Sequence, residues 1–161
     1  MNRLLATTAA VLLASPSNPT GTVVPKEELQ AISQIVEQRG GRLLVDEIYQ
    51  GLVYTGRDFT ALQLSSDLFI INSFSKYFSM TGWRLGWLIM PGPLREGLTR
   101  IGQNVTISAP TLSQIGAVAA FDCHETCAAY VAGYAENQAL RQELADDPAP
   151  AGSQGRPGGH G

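Results

Sequence analysis

The chain is poor in cysteine, in clustered positive charge and in long apolar stretches, and each shortage excludes something. Only 2 cysteines occur in 161 residues, Cys123 and Cys127. Their spacing puts them on one face of a helix. His124 between them invites a metal reading, but no second Cys/His pair completes a tetrahedral set. They read as reduced helix cysteines of a cytosolic protein. Net charge is -3, which argues against a nucleic-acid surface. No run of like charges marks an acidic or basic tail. The apolar run Leu4 to Ala14 is too short to span a bilayer. Met1, Asn2 and Arg3 before it have a signal-peptide look, yet no small-x-small cleavage pattern follows. The same residues read as a buried strand ending in a turn, and the location as cytoplasmic.

Several catalytic signatures are missing as well. There is no Gly-x-x-x-x-Gly-Lys-Ser/Thr loop and no Gly-x-Gly-x-x-Gly fingerprint. Ser73-Phe74-Ser75-Lys76 fits the Ser-x-x-Lys of penicillin-recognising enzymes, but their Ser-Asp-Asn and Lys-Thr-Gly elements are lacking. His124, expected inside a helix, and His160, in the tail, leave a Ser-His triad without a base. Asn104-Val105-Thr106 matches a glycosylation sequon that a cytosolic chain does not use.

What is present reads as one domain. Apolar residues make up 44%, enough for a sizeable core. Ala9 to Ala14 is a short buried strand, stopped by the turn formers of Asn18-Pro19-Thr20-Gly21. Pro25 suits a first helical position, with Glu27 and Glu28 in the first turn. Leu29, Ile32, Ile35 and Val36 form a helical stripe, and Gly40 and Gly41 end it. Leu43 to Val45 is a second strand, ending at Asp46, and Leu68 to Ile71 a third, ending at Asn72 to Lys76. Leu85 to Met90 is a fourth apolar run. Helices are expected from Leu94 to about Asn104, and as one long element from Pro110 to about Leu144. Strands alternating with helices predict an α/β fold with a mostly parallel sheet flanked by helices. Residues 146–161 carry nothing apolar larger than Ala and are expected to be a disordered Pro/Gly-rich tail.

In open α/β sheets the ligand crevice lies at the carboxyl ends of the strands. Polar clusters sit at three such ends: Asn18 after the first strand, Asp46 to Tyr49 after the second, Ser73 to Lys76 after the third. Each residue alone has a plain structural reading. Asn18 is a turn residue, Asp46 a cap or loop acid, Tyr49 core and Lys76 surface. Arg84 between Trp83 and Trp87 could stack on an indole. Together they meet what a pyridoxal cofactor asks. Lys76 supplies the amine for an imine. Asp46 supplies the carboxylate that keeps the ring nitrogen protonated. Ser73 and Arg84 supply the phosphate clamp, and Asn18 and Tyr49 supply donors for the ring oxygen.

In order and spacing, three stretches resemble the class I/II aminotransferases, the fold type I enzymes like aspartate aminotransferase that depend on pyridoxal 5'-phosphate (PLP). They are Ser15 to Gly21, Val45-Asp46-Glu47-Ile48-Tyr49, and Ser73 to Gly86, and the resemblance runs from about Ala9 to Leu144. It implies that residues 1–145 are a partial PLP-binding large domain and that residues 146–161 leave the family pattern. Lys76, Asp46 and Tyr49 would be catalytic; Asn18, Ser73, Ser75 and Arg84 would join them in holding PLP. The substrates implied are an amino acid and a 2-oxo acid, exchanged by transamination with the Lys76 amine moving the proton. Family members are implied to be homodimers more than twice this length. The alternatives are a truncated, inactive chain, or a relative such as a carbon–sulfur lyase or aminocyclopropane-carboxylate synthase.

Overall fold

A computed structural model describes residues 9–54 and 58–146. The expected signal-like start, Met1 to Thr8, and the expected tail beyond Asp146 lie outside them. The chain runs β1 (Ala10–Ala14), α1 (Lys26–Gln38), β2 (Arg42–Asp46), β3 (Phe69–Ser73) and β4 (Gly86–Ile89). Then follow α2 (Arg95–Val105), α3 (Thr111–Ala120) and α4 (His124–Asp146). The strands form one sheet in the order β1-β2-β3-β4. The β1–β2 and β2–β3 pairs are parallel, and β4 joins β3 antiparallel.

Alternation along the strands decides what is buried. Leu43 and Val45 of β2 and Ile70 of β3 share a core with Leu29 and Val36 of α1. Ala61 and Leu68, from the connection between β2 and β3, complete it, and Val11, Leu13 and Ile32 pack around it. Burying a Val, Leu or Ile side chain contributes about 1.5–3 kcal/mol. The other face is barer: Leu12 of β1 is 66% exposed. α1 stops where Gly40 takes φ +69°, and the Gly41 amide reaches back to the Val36 carbonyl at 3.0 Å.

A second cluster centres on Phe74, just past β3. Its ring meets Phe78, Trp87 and Phe121 at centroid distances of 5.1, 5.0 and 5.4 Å. Ala117 and Ala120 of α3 close over it.

One expectation fails. The long helix from Pro110 is two helices, parted at Phe121 to Cys123. Phe121 turns its ring into the Phe74–Phe78 cluster. The amides of Asp122 and Cys123 then bond back only three residues, to Ala119 and Ala120, tightening the turn. Asp, Cys and His are poor helix formers and offer little resistance. Cys123 therefore stands before α4, not on a helix face shared with Cys127, and His124 opens α4 instead of lying inside it.

Candidate active site

The parallel register aligns the strand ends. Ala14 lies opposite Asp46, and Asp46 opposite Ile71. The Ser15 amide donates to the Asp46 carbonyl at 3.0 Å, and the Glu47 amide to the Ile71 carbonyl at 2.8 Å. Three loops thus leave one edge of the sheet side by side. They carry Asn18, then Tyr49 after Asp46 at the end of β2, then Ser75 and Lys76 after Ser73 at the end of β3.

Lys76 is held by its neighbours in the chain. Phe74 is buried and Phe78 half-buried in the aromatic cluster on either side of it. The Met80 amide donates to the Phe74 carbonyl at 3.0 Å, and the Ser79 amide to the Lys76 carbonyl at 2.9 Å. The Lys76 ammonium stands over the Tyr49 ring, 5.5 Å from its centroid. Among the described residues no carboxylate pairs with it.

Asp46 ends β2 half-buried, and its Oδ1 accepts the Ile48 amide at 3.0 Å. That bond sets the turn leading to Tyr49. Ser73 Oγ accepts the Ser75 amide at 2.9 Å, and Thr81 Oγ1 donates to the Ser75 carbonyl at 2.7 Å. Arg84 is exposed, and its guanidinium donates to the Thr81 carbonyl at 3.1 Å instead of stacking on an indole. Its backbone is left-handed, φ +53°, an unfavourable region for a residue with a Cβ. Asn18 is exposed in the turn after β1, where the Ser15–Pro16 and Asn18–Pro19 bonds are cis.

A cleft of about 650 Å³ adjoins this edge. Asn18 and Tyr49 line it, but Asp46, Ser73, Lys76 and Arg84 do not. Its far wall is α4, through Tyr134, Asn137, Gln138 and Arg141. These four follow helical i, i+3, i+4, i+7 spacing, so they form one stripe. The spacing is visible in the sequence; what the stripe faces is not.

Glu47 also escaped the sequence reading. It is 2% exposed, and its Oε1 accepts the Ala61 amide at 2.6 Å. Burial pushes its carboxyl above the usual range, Asp58 adds to that, and the Ala61 amide and Thr60 side chain pull the other way. A signal existed. Leu43, Val45 and Glu47 alternate at period two, which aims Glu47 at the core face.

An amine, an acid, hydroxyls and a guanidinium thus stand near one end of the sheet, and comparison with known proteins gives the family. The chain matches the family "Aminotransferase class I and II" over residues 2–151, and it belongs to that family. The family is one of transferases. A valine–pyruvate aminotransferase of Mycobacterium tuberculosis is 50% identical over 134 residues, covering 81% of this chain and 34% of that protein. A (5-formylfuran-3-yl)methyl phosphate transaminase of Methanocaldococcus jannaschii is 40% identical, over 71% of this chain and 31% of its own. Among solved structures, an aminotransferase from Mycobacterium tuberculosis superposes with TM-score 0.78 at 48% identity, covering 82% of this chain and 37% of that one. Thermus thermophilus aspartate aminotransferase with maleate gives TM-score 0.77 at 31% identity, over 86% and 37%. The chain thus spans about a third of the length of the relatives it matches.

Proposed function

We propose that residues 1–145 form part of the PLP-binding domain of an aminotransferase that exchanges an amino group between an amino acid and a 2-oxo acid. One observation carries this reading: an amine without a carboxylate partner among the described residues, Lys76, stands over Tyr49 at the strand edge that also bears Asp46.

The residues present fit the cofactor by their chemistry. Bound PLP supplies an electron sink that stabilises negative charge on the substrate α-carbon. Asp46 holds a proton at the ring nitrogen. Asn18 and Tyr49 hydrogen-bond the ring oxygen. Ser73 and Arg84, with Ser75, hold the phosphate, where Arg gives charge-assisted contacts. Lys76 would hold the cofactor through its amine and would move a proton at the substrate α-carbon as general base and acid. The relative at 50% identity is named for valine and pyruvate, so that pair is the first to test. The same reading places the whole protein in the cytoplasm as a homodimer.

The test is chemical. The chain is mixed with PLP, reduced with borohydride, and digested for peptide mapping. The label is expected on Lys76 and absent from Lys76→Ala. Label confined to Lys26, or none in a sample shown to be folded, refutes the reading.

A further inference from the structure

Glu47 lies between Asp46 and Tyr49 and is used by none of the steps above. Three of its bonds leave in different directions. Its amide donates to the Ile71 carbonyl of β3 at 2.8 Å. Its carbonyl accepts the Gln50 amide at 2.8 Å, closing the turn that carries Tyr49. Its carboxylate Oε1 accepts the Ala61 amide at 2.6 Å, fourteen residues on. Ala61 is wholly buried and opens a single 3-10 turn, Ala61–Gln63, that roofs the core. Oε2 is buried with no partner among the described residues. A buried carboxyl with one oxygen unsatisfied is costly, and surfaces offer cheaper ways to end a strand. The placement therefore calls for a reason beyond packing.

The geometry points to Glu47 as a positioning residue: by tying the connection after β2 to the Ala61 turn, it fixes the backbone from Asp46 to Tyr49. This rests on the PLP reading above. Asp46 and Tyr49 are then set by a shared anchor, one residue before and two after it. Shortening that anchor by one methylene slackens both at once, while Lys76, on the next strand end, stays where Phe74 holds it. A neutral side chain of the same length keeps the anchor.

Among the described residues the charged groups around the carboxyl are few. Asp58 faces it from the following connection, and Asp46 precedes it in the chain. Its ordinary value is 4.5, and its native value lies higher. Between the two, the folded chain binds a proton that the unfolded chain has released. Stability from this group is full below the ordinary value and declines as pH rises through the native one.

The experiment uses the full chain as wild type, Glu47→Asp and Glu47→Gln, each checked for folding by urea titration. PLP is titrated, borohydride traps it, and the concentration giving half-maximal Lys76 label is read. E47D is expected to need roughly tenfold more PLP or beyond, and E47Q the wild-type amount. E47Q should also gain urea midpoint relative to wild type as pH rises above the ordinary carboxyl value of 4.5. A folded E47D that labels like wild type overturns the inference, and so does a folded E47Q that fails to label. Where E47D does not fold, the E47Q labelling decides: half-maximal label at the wild-type PLP concentration supports the inference, and a higher concentration overturns it. Wild type without label on Lys76 sinks the PLP reading itself, an outcome distinct from any of these.

Discussion

Gly86 offers a sharp test of how the Ser73 end of β3 is held. It lies opposite Ser73 in the antiparallel β3–β4 pair. A Cβ placed there would sit 2.7 Å from the Asn72 carbonyl oxygen and 3.0 Å from Ser73 Cβ. Carbon–oxygen contacts in sheets settle at about 3.3–3.6 Å, so the strands must part by roughly half an ångström or more. Overpacking of this kind costs about 1–3 kcal/mol. Replacing Gly also stiffens the unfolded chain, which contributes about 0.4–1 kcal/mol the other way. The steric loss is the larger. With a urea slope of about 2 kcal/mol/M, Gly86→Ala should lower the midpoint by roughly 0.5–1 M. Trp83 and Trp87 flank the site and report unfolding by fluorescence. Gly97→Ala is the control. It lies within α2 with nothing inside 4 Å of its added methyl. There Ala should stabilise by about 0.5–1 kcal/mol, so the two midpoints move in opposite directions. An unchanged or raised midpoint for G86A would refute the close approach of β4 to Ser73.

Two further outcomes are expected. Arg84→Gly relieves the left-handed backbone and should stabilise by about 1 kcal/mol, yet it removes the proposed phosphate clamp. PLP capture at Lys76 should then weaken roughly 10–100-fold; capture unchanged in R84G would remove Arg84 from the site. For the cysteines, Cys123 is exposed and Cys127 buried. Burial raises the Cys127 thiol, and the neighbouring Cys123 adds to it, so less of the reactive thiolate is present. Iodoacetamide should alkylate Cys123 in the native chain and reach Cys127 only in urea. Equal rates in buffer would contradict the packing of α4.

Much of the fold is legible because apolar runs halt at polar clusters. The strand ends at Ala14 and Asp46 are read to the residue from that contrast alone. β3 runs two residues past its apolar core, since Asn72 and Ser73 find partners in Trp87 and Gly86. Hydrogen-bond register ends a strand, and register is invisible locally. The antiparallel entry of β4 has no local signal either. The break between α3 and α4 follows from where Phe121 can set its ring against Phe74 and Phe78, a tertiary matter that helix propensity does not contain. Lys76, Asp46 and Arg84 stand out because their types and spacing suit one cofactor. Glu47 passes unremarked inside the same motif, though its period-two placement after Leu43 and Val45 already pointed inward.

Spatial order in the sheet equals order along the chain. Among the described residues, each strand after β1 docks on the one synthesised just before it. The parallel pairs still join distant residues, Ala10 with Arg42 and Leu44 with Phe69, so they close more slowly than a hairpin would. These strands leave the ribosome in the order in which they pair, with the Lys76 segment following the β1 and β2 ends.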